Sequence, residues 1–184
     1  MKFQMNFTTS YDDVIRFTSA EDLHRFYTEH GCDGLELMPL PYSTAEAPDI
    51  YLSPKKCPLI VPGMVTGIHC CCVGDWVNQD RKELIRHYRK DLDYAMRVGA
   101  EYVVFHVVQV DDKEGFTYER KHTDREVVDA AAAFINELLD GQEYSFWFLM
   151  ENLWWPGLTF LEPEDTRALI SQVHYGKKGF MLDT

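Results

Sequence analysis

The sequence is poor in positive charge and contains no long hydrophobic run. Eighteen lysine and arginine residues stand against thirty aspartate and glutamate residues, which gives a formal net charge of −12. Because nucleic acids and anionic membranes are bound by clustered cations, this balance disfavours both kinds of partner. The basic segment RKELIRHYRK at 81–90 alternates its charges with apolar positions, as a solvated helix face does. No run approaches the roughly 20 apolar residues of a membrane helix.

Cysteines spaced for disulfides or thiolate metal sites are also lacking. There are five cysteines, three of them adjacent at 70–72, and none forms a CxxC pair. Such spacing favours reduced thiols over a disulfide framework or a cysteine-ligated metal. The N-terminus, MKFQMNFTTS, lacks the apolar stretch of a signal peptide. We therefore expect a soluble cytoplasmic protein.

What the sequence does contain is an alternation of apolar runs with helical patterns. Its 184 residues suggest a single domain, 1–184. Helix starts are predicted at Ser19, at Asp80, at Thr123 with Glu126 three residues later, and at Pro163. A proline-rich segment at 39–62 is expected to be loop. Strand-length runs occur at 2–9, 32–40, 64–70, 101–108, 146–152 and 179–184. This order predicts an α/β protein with a parallel sheet covered by helices.

An ionisable residue stands at or near the C-terminal end of five of these runs. In a parallel α/β protein the strand C-termini share one face, and active sites are built there. Each residue alone has an ordinary structural reading, a core histidine bonded to backbone or a glutamate capping a loop. Together they predict a functional site that comprises Glu36, His69, His106, Glu151 and Asp183.

The residues of this predicted site suggest different roles. Glu151 lies within FWFLMENLWW, where an unpaired charge would cost several kcal/mol, so we expect it to bind a cation. Asp183 ends the next strand and is a candidate for the same ion. His69 and His106 are candidates for ligands or substrate contacts, and Glu36 for a substrate contact. Trp154 follows Glu151 closely and either walls a substrate pocket or packs in a loop.

Three short motifs resemble the xylose isomerase-like TIM barrel superfamily, which includes sugar-phosphate isomerases and epimerases. DGLEL at 33–37 is similar to its second-strand signature, MEN at 150–152 to its fifth-strand motif, and LDT at 182–184 to the start of its sixth-strand motif. The resemblance implies a (β/α)₈ barrel with a divalent ion (Mn, Co, Mg or Zn) held by a Glu, an Asp, a His and a second Glu. Glu151 and Asp183 would fill the first two places.

The sequence departs from that pattern because it ends at Thr184, within the sixth-strand motif. A complete barrel typically needs about 250 residues, so we expect an incomplete barrel of six strands. Either the chain is truncated after the sixth strand, or it covers its exposed sheet edges by forming a homo-oligomer. We expect Val103, Phe105 and Phe148 to line the inner face of the sheet.

The resemblance implies a metal-dependent sugar or sugar-phosphate isomerase or epimerase. Glu151 would then be the catalytic residue that moves a proton beside a carbonyl, and Glu36, His69, His106 and Trp154 would contact a small sugar. Two alternatives stay open. The histidines stand at positions similar to the ligands of abasic-site DNA endonucleases (the endonuclease IV type), although the acidic balance argues against a DNA partner. A non-catalytic sugar-binding remnant is the other.

Overall fold

The structure of the chain is a computed structural model that describes residues 3–10, 16–38, 59–61, 63–70, 80–108, 110–117, 119–154 and 156–184. The strands are β1 Asn6–Ser10, β2 Gly34–Met38, β3 Val65–His69, β4 Tyr102–His106, β5 Trp147–Glu151 and β6 Lys178–Met181. The helices are α1 Ala20–Glu29, α2 Arg81–Val98, α3 Asp112–Thr117, α4 Asp124–Leu139 and α5 Pro163–Gln172.

All six strands are parallel and lie in the order β1-β2-β3-β4-β5-β6. Neighbours in sequence are therefore neighbours in space, which is the connectivity of a (β/α)₈ barrel and not of a doubly wound sheet. The fold class is confirmed: the protein is an incomplete α/β barrel of the TIM type. Strands β1 and β6 form the two edges of the sheet. The expected homo-oligomer, which would cover such edges, stays a prediction.

The predicted helix starts are confirmed by cap geometry. The side chains of Ser19 and Asp80 accept hydrogen bonds from backbone N–H groups of the first turns of α1 and α2. Thr123 and Glu126 form a reciprocal capping box at α4. Pro163 is the first residue of α5, where its missing N–H has no partner to lose. The residues at which the helices that cover the sheet begin are thus determined by short local sequence motifs.

The outer face of the sheet carries the hydrophobic core. Phe105 packs against Tyr88 of α2 and Phe134 of α4, at centroid distances of 5.2 and 6.2 Å. Phe148 of β5 packs beside Phe105, and both side chains are fully buried. The expectation that Val103, Phe105 and Phe148 line the inner face is wrong, because alternate side chains of a strand point to opposite faces and these three face the helices.

Two further features of the fold bear on the sequence predictions. Helix α3 was not foreseen, because its six residues are too few to show a helical period. The predicted loop at 39–62 lies outside the described residues except for 59–61. Among the helices that the structure describes, none is both long and apolar enough to cross a bilayer.

Candidate metal centre

The strand register places four of the five predicted site residues on the inner face of the sheet. His106 pairs directly with Glu151, and His69 pairs with Val104, two residues before His106. Glu36 pairs with Gly67, two residues before His69. Because side chains two residues apart share a face, Glu36, His69, His106 and Glu151 all point away from the helices. Their common position near the strand C-termini is the one expected from the sequence.

His69, His106 and Glu151 converge at a single point. The Nε2 atom of His106 lies 2.9 Å from Oε2 of Glu151, and Nε2 of His69 lies 3.2 Å from the same oxygen. The two Nε2 atoms are 3.3 Å apart. His69 and Glu151 are buried, and His106 is half-buried. Three donor atoms of types that bind metals therefore form a small triangle on adjacent strands.

The distances within this triangle fit a metal ion. Ligand bonds of about 2.0–2.1 Å, as for Zn²⁺, put neighbouring ligand atoms about 2.9 Å apart at a right angle and about 3.3 Å apart at a tetrahedral angle. The observed separations of 2.9, 3.2 and 3.3 Å span that interval. Oε2 of Glu151 is buried and receives no well-directed hydrogen bond, although both imidazoles lie close to it. Oε2 is therefore a buried acceptor without a properly oriented donor.

The contact made by Nδ1 of His69 determines which ring nitrogen is available to bind a metal ion. Nδ1 lies 3.3 Å from the carbonyl oxygen of Cys70, which can only accept a hydrogen bond. Nδ1 of His69 therefore carries a proton, and when the ring is neutral Nε2 keeps a lone pair directed at the cluster. A metal-binding histidine commonly has this arrangement, because the outer hydrogen bond sets its tautomer and ring orientation.

The electrostatics of the cluster favour the ionised carboxylate. Burial by itself would raise the pKa of Glu151, but the imidazoles of His106 and His69 close to Oε2 outweigh this effect and lower the pKa to about 2. Burial would likewise lower the pKa of His69, yet the nearby carboxylate of Glu151, together with the charge of Glu36, raises it overall. A metal cation bound at this point would neutralise the Glu151 carboxylate in place of protonated imidazoles.

Asp183 and Trp154 lie beside the cluster without joining it. The group of candidate ligands found among the described residues does not include Asp183. Asp183 is exposed, and its backbone N–H donates to Oδ1 of Asn152 at 2.8 Å. Trp154 is half exposed and donates through Nε1 to the carbonyl of Gly115 at 2.7 Å. Their assignments as metal ligand and substrate contact stay predictions, as does the role of Glu36.

The loop after β4 contains a buried carboxylate that the sequence did not reveal. Glu114 of α3 is fully buried. It accepts hydrogen bonds from the backbone N–H groups of Lys121 and His122 at 2.8 and 2.7 Å, and it lies 2.8 Å from Nδ1 of His122. Glu114 therefore ties α3 to the segment before α4. Trp154 joins this unit to the loop that follows Glu151, so the loops beyond His106 and Glu151 are held together.

Comparison with known proteins supports the fold. No model of a protein family matches the chain. No curated protein matches it either. Among solved structures, it is similar to a D-tagatose 3-epimerase-like protein, with 15% identity over 97% of this chain and a TM-score of 0.55. It is also similar to the TTHB071 protein from Thermus thermophilus, soaked with ZnCl2, with 20% identity over 98% of this chain and a TM-score of 0.60.

A third similar structure is a xylose isomerase-like TIM barrel protein from Mycobacterium smegmatis in complex with magnesium, with 18% identity over 88% of this chain and a TM-score of 0.52. At these identities the likeness defines the fold alone, and it confirms the resemblance to xylose isomerase-like TIM barrels at that level. The chain spans 65%, 66% and 54% of the three proteins.

Proposed function

We propose that this chain carries the metal centre of a divalent-metal-dependent isomerase or epimerase acting on a sugar or sugar phosphate. The observation that carries the proposal is the convergence of Nε2 of His69, Nε2 of His106 and Oε2 of Glu151 within 3.3 Å of one another. The site lies at the C-terminal ends of parallel strands, where barrels of this type bind their substrates. The likeness to a D-tagatose 3-epimerase-like protein supports the choice of reaction class.

His69, His106 and Glu151 would hold the ion. Two imidazoles and one carboxylate form a donor set typical of catalytic zinc. Nitrogen donors favour Zn²⁺ or Co²⁺ over Mg²⁺, which prefers oxygen, with Mn²⁺ between them. Asp183 would add a carboxylate, as the sequence motif implies. A divalent ion bound here would act as a Lewis acid toward the carbonyl and hydroxyl oxygens of the sugar.

Glu151 would also move the proton. Its Oε2 belongs to the triangle with the histidines, which leaves Oε1 to take a proton from the carbon beside a carbonyl. The lowered pKa keeps the carboxylate ionised at neutral pH, as a proton acceptor must be. Glu36 and Trp154 would contact the sugar, through hydrogen bonds and through a ring face. Burial of the cluster would limit the access of water to the reacting carbon.

The two histidines also favour a second candidate, hydrolysis of a phosphodiester at an abasic site in DNA. A nitrogen-rich zinc site suits the activation of water, because bound Zn²⁺ lowers the pKa of water to about 7. Against it stands the formal net charge of −12, which opposes approach to a DNA backbone. A protein that binds a sugar without turning it over is the remaining alternative.

The test combines metal content with solvent proton exchange. The metal-free protein is dialysed against Zn²⁺, Co²⁺, Mn²⁺ or Mg²⁺, and bound metal is measured by elemental analysis. Each loaded form is then incubated with ketoses and ketose phosphates in D₂O, and NMR detects deuterium at the carbon beside the carbonyl. We expect about one zinc or cobalt ion per chain and deuterium incorporation into at least one sugar.

The matched control uses a histidine outside the cluster. His69→Ala should lose both the metal and the exchange, whereas His174→Ala, at an exposed position before β6, should keep both. Cleavage of an abasic duplex without sugar exchange would replace the isomerase with the phosphodiesterase. Metal binding and sugar binding without either reaction would favour the non-catalytic alternative. Equal metal binding by the wild type and His69→Ala would contradict the proposed metal centre.

A further inference from the structure

A line of polar side chains crosses the inner face of the sheet on the N-terminal side of the metal centre. Tyr102 of β4 donates its hydroxyl proton to Oε2 of Glu36 on β2 at 2.7 Å. Nδ2 of Asn6 on β1 donates to the same hydroxyl at 2.8 Å. The line joins the first, second and fourth strands and passes over the third. Because Glu36 points to the face that carries His69 and Glu151, the line and the metal centre share the inner face of the sheet.

The passage over β3 depends on Gly67. A Cβ atom at this position would lie 2.3 Å from the ring of Tyr102, closer than side-chain carbons approach one another. Any other residue would therefore push Tyr102 away from Glu36. Gly67 pairs with both Glu36 and Tyr102 in the sheet register, so the glycine stands between the two residues that the hydrogen bond connects.

The hydrogen bonds in this line have a defined direction. The amide nitrogen of Asn6 can only donate, so the hydroxyl of Tyr102 accepts from it and gives its own single proton to Glu36. Glu36 is 5% exposed, and within the described part of the chain Tyr102 is the residue that donates to it. A buried carboxylate is usually stabilised by several hydrogen-bond donors. Because Glu36 receives one hydroxyl proton at Oε2, the lone pairs of its Oε1 can accept a further hydrogen bond.

We propose that Tyr102 is a positioning residue, which holds Glu36 so that Oε1 accepts a hydrogen bond from a hydroxyl group of a polyhydroxylated substrate bound at the metal centre. This inference rests on the proposed function and deepens it by assigning the recognition of hydroxyl groups to the Asn6–Tyr102–Glu36 line. A carboxylate acceptor selects a hydroxyl donor and repels an anionic group at the same place. The part of the substrate nearest Glu36 is therefore neutral and hydroxylated.

The experiment measures the binding of a polyol to the zinc-loaded protein. Ribitol, a five-carbon polyol without a carbonyl group, offers hydroxyl donors and cannot be isomerised. Its dissociation constant is determined by calorimetry for the wild type, Tyr102→Phe, Glu36→Gln and the double variant. Tyr144→Phe is the matched control, since its hydroxyl donates to the carboxylate of Asp93 on the outer surface at 3.0 Å. Zinc content and the thermal midpoint are recorded for every variant.

We expect Tyr102→Phe and Glu36→Gln each to weaken ribitol binding about tenfold, the value of one hydrogen bond to a charged group. The double variant should be no weaker than Glu36→Gln alone, because Tyr102 acts through Glu36. Tyr144→Phe should bind as the wild type does. Asn6→Ala, which removes only the donor to the Tyr102 hydroxyl, should weaken binding about threefold and serves as a second variant should Tyr102→Phe fold poorly.

Other results would overturn the inference. Unchanged ribitol binding in a folded, zinc-loaded Tyr102→Phe or Asn6→Ala variant would remove the positioning role. Additive losses in the double variant would make Tyr102 a separate contact. A lack of ribitol binding by the zinc-loaded wild type would reject the hydroxyl role of Glu36. Failure of the proposed function is seen separately, as loss of metal uptake or of deuterium exchange.

Discussion

Two glutamates are buried on the C-terminal side of the sheet, Glu114 in α3 after β4 and Glu151 at the end of β5, and their surroundings differ. Glu114 accepts hydrogen bonds from two backbone N–H groups and pairs with the side chain of His122. Among the described residues, the imidazoles of His69 and His106 lie near Oε2 of Glu151, and neither directs a hydrogen bond to that oxygen. The chain satisfies the hydrogen-bonding capacity of Glu114, whereas Oε2 of Glu151 lacks a directed donor.

The comparison shows which property marks a functional carboxylate. Both pKa values are lowered against the effect of burial: that of Glu114 by the backbone N–H of Lys121 and by His122, and that of Glu151 by His106 and His69. Burial and a lowered pKa therefore do not separate the two. The unsatisfied oxygen does, because a buried acceptor without a directed donor carries a cost that binding can relieve.

The largest expected effect is on metal binding by Glu151→Gln. The amide keeps the shape but removes the anionic ligand. Even changes outside the direct ligands cost roughly 10–100-fold in metal affinity, so we expect a loss of more than about 100-fold for zinc. The dissociation constant is measured by competition with a chromophoric chelator.

The same variant should still fold when metal-free, but with lower stability. The lowered pKa of Glu151 shows that its attraction to the histidines outweighs the cost of burial, so we expect the free energy of unfolding in EDTA to fall by about 2–3 kcal/mol. Urea denaturation provides this control. Zinc affinity equal to that of the wild type would show that Glu151 is not a metal ligand. An unsatisfied buried oxygen would then not distinguish a functional carboxylate from a structural one such as Glu114.

Glu114→Gln should give the opposite result for zinc affinity. The amide oxygen can replace Oε1 as acceptor for the two backbone N–H groups, but the amide nitrogen then faces Nδ1 of His122 and the charged pair with this histidine is lost. We expect the free energy of unfolding to fall by about 2 kcal/mol, within the range for buried networks of this kind. Zinc affinity should stay within about fivefold of the wild type, because Glu114 lies outside the cluster. A larger loss of zinc affinity with unchanged stability would contradict the structural role of Glu114.

The pH dependence of stability provides a smaller and sharper test of Glu114. Its folded-state pKa is lowered from 4.5, so the unfolded chain binds more protons in acid. The contribution of Glu114 is therefore full above about pH 4.5 and is lost as the pH falls through the lowered pKa. We expect the difference in urea midpoint between the wild type and Glu114→Gln to shrink between pH 5 and pH 3. A difference that is constant over this range would mean that the carboxylate charge is not what stabilises the loop.

Much of this arrangement could be predicted from the sequence, because it is encoded locally. Each predicted strand and each predicted helix start is present, since apolar runs and capping residues act over a few residues. The position of Glu36, His69, His106 and Glu151 at one edge followed from the parallel sheet alone. The pairing of the histidines with Glu151 did not, because register is a non-local property, and the sequence motif directed attention to Asp183 instead.

The residues that sequence reasoning missed act across strands. Tyr102 and Gly67 matter only because β3 separates β2 from β4, and no spacing in the sequence indicates that contact. Glu114 lies in a helix too short to show a period. One signal was available for Phe105: it precedes His106, a predicted site residue, and strict alternation along a strand places the two side chains on opposite faces.

The smallest expected effect concerns Trp154, which connects the two regions. Its Nε1 donates to the carbonyl of Gly115 in α3, so it joins the loop after Glu151 to the helix that contains Glu114. Trp154→Phe keeps an aromatic ring and removes this donor, which should lower the free energy of unfolding by about 1 kcal/mol. If the ring also walls the substrate pocket, ribitol binding should change little, because phenylalanine still presents a face. Trp154→Ala would then weaken ribitol binding severalfold beyond Trp154→Phe, with zinc affinity unchanged in both. Equal ribitol affinity in Trp154→Ala and the wild type would restrict Trp154 to holding the two loops together.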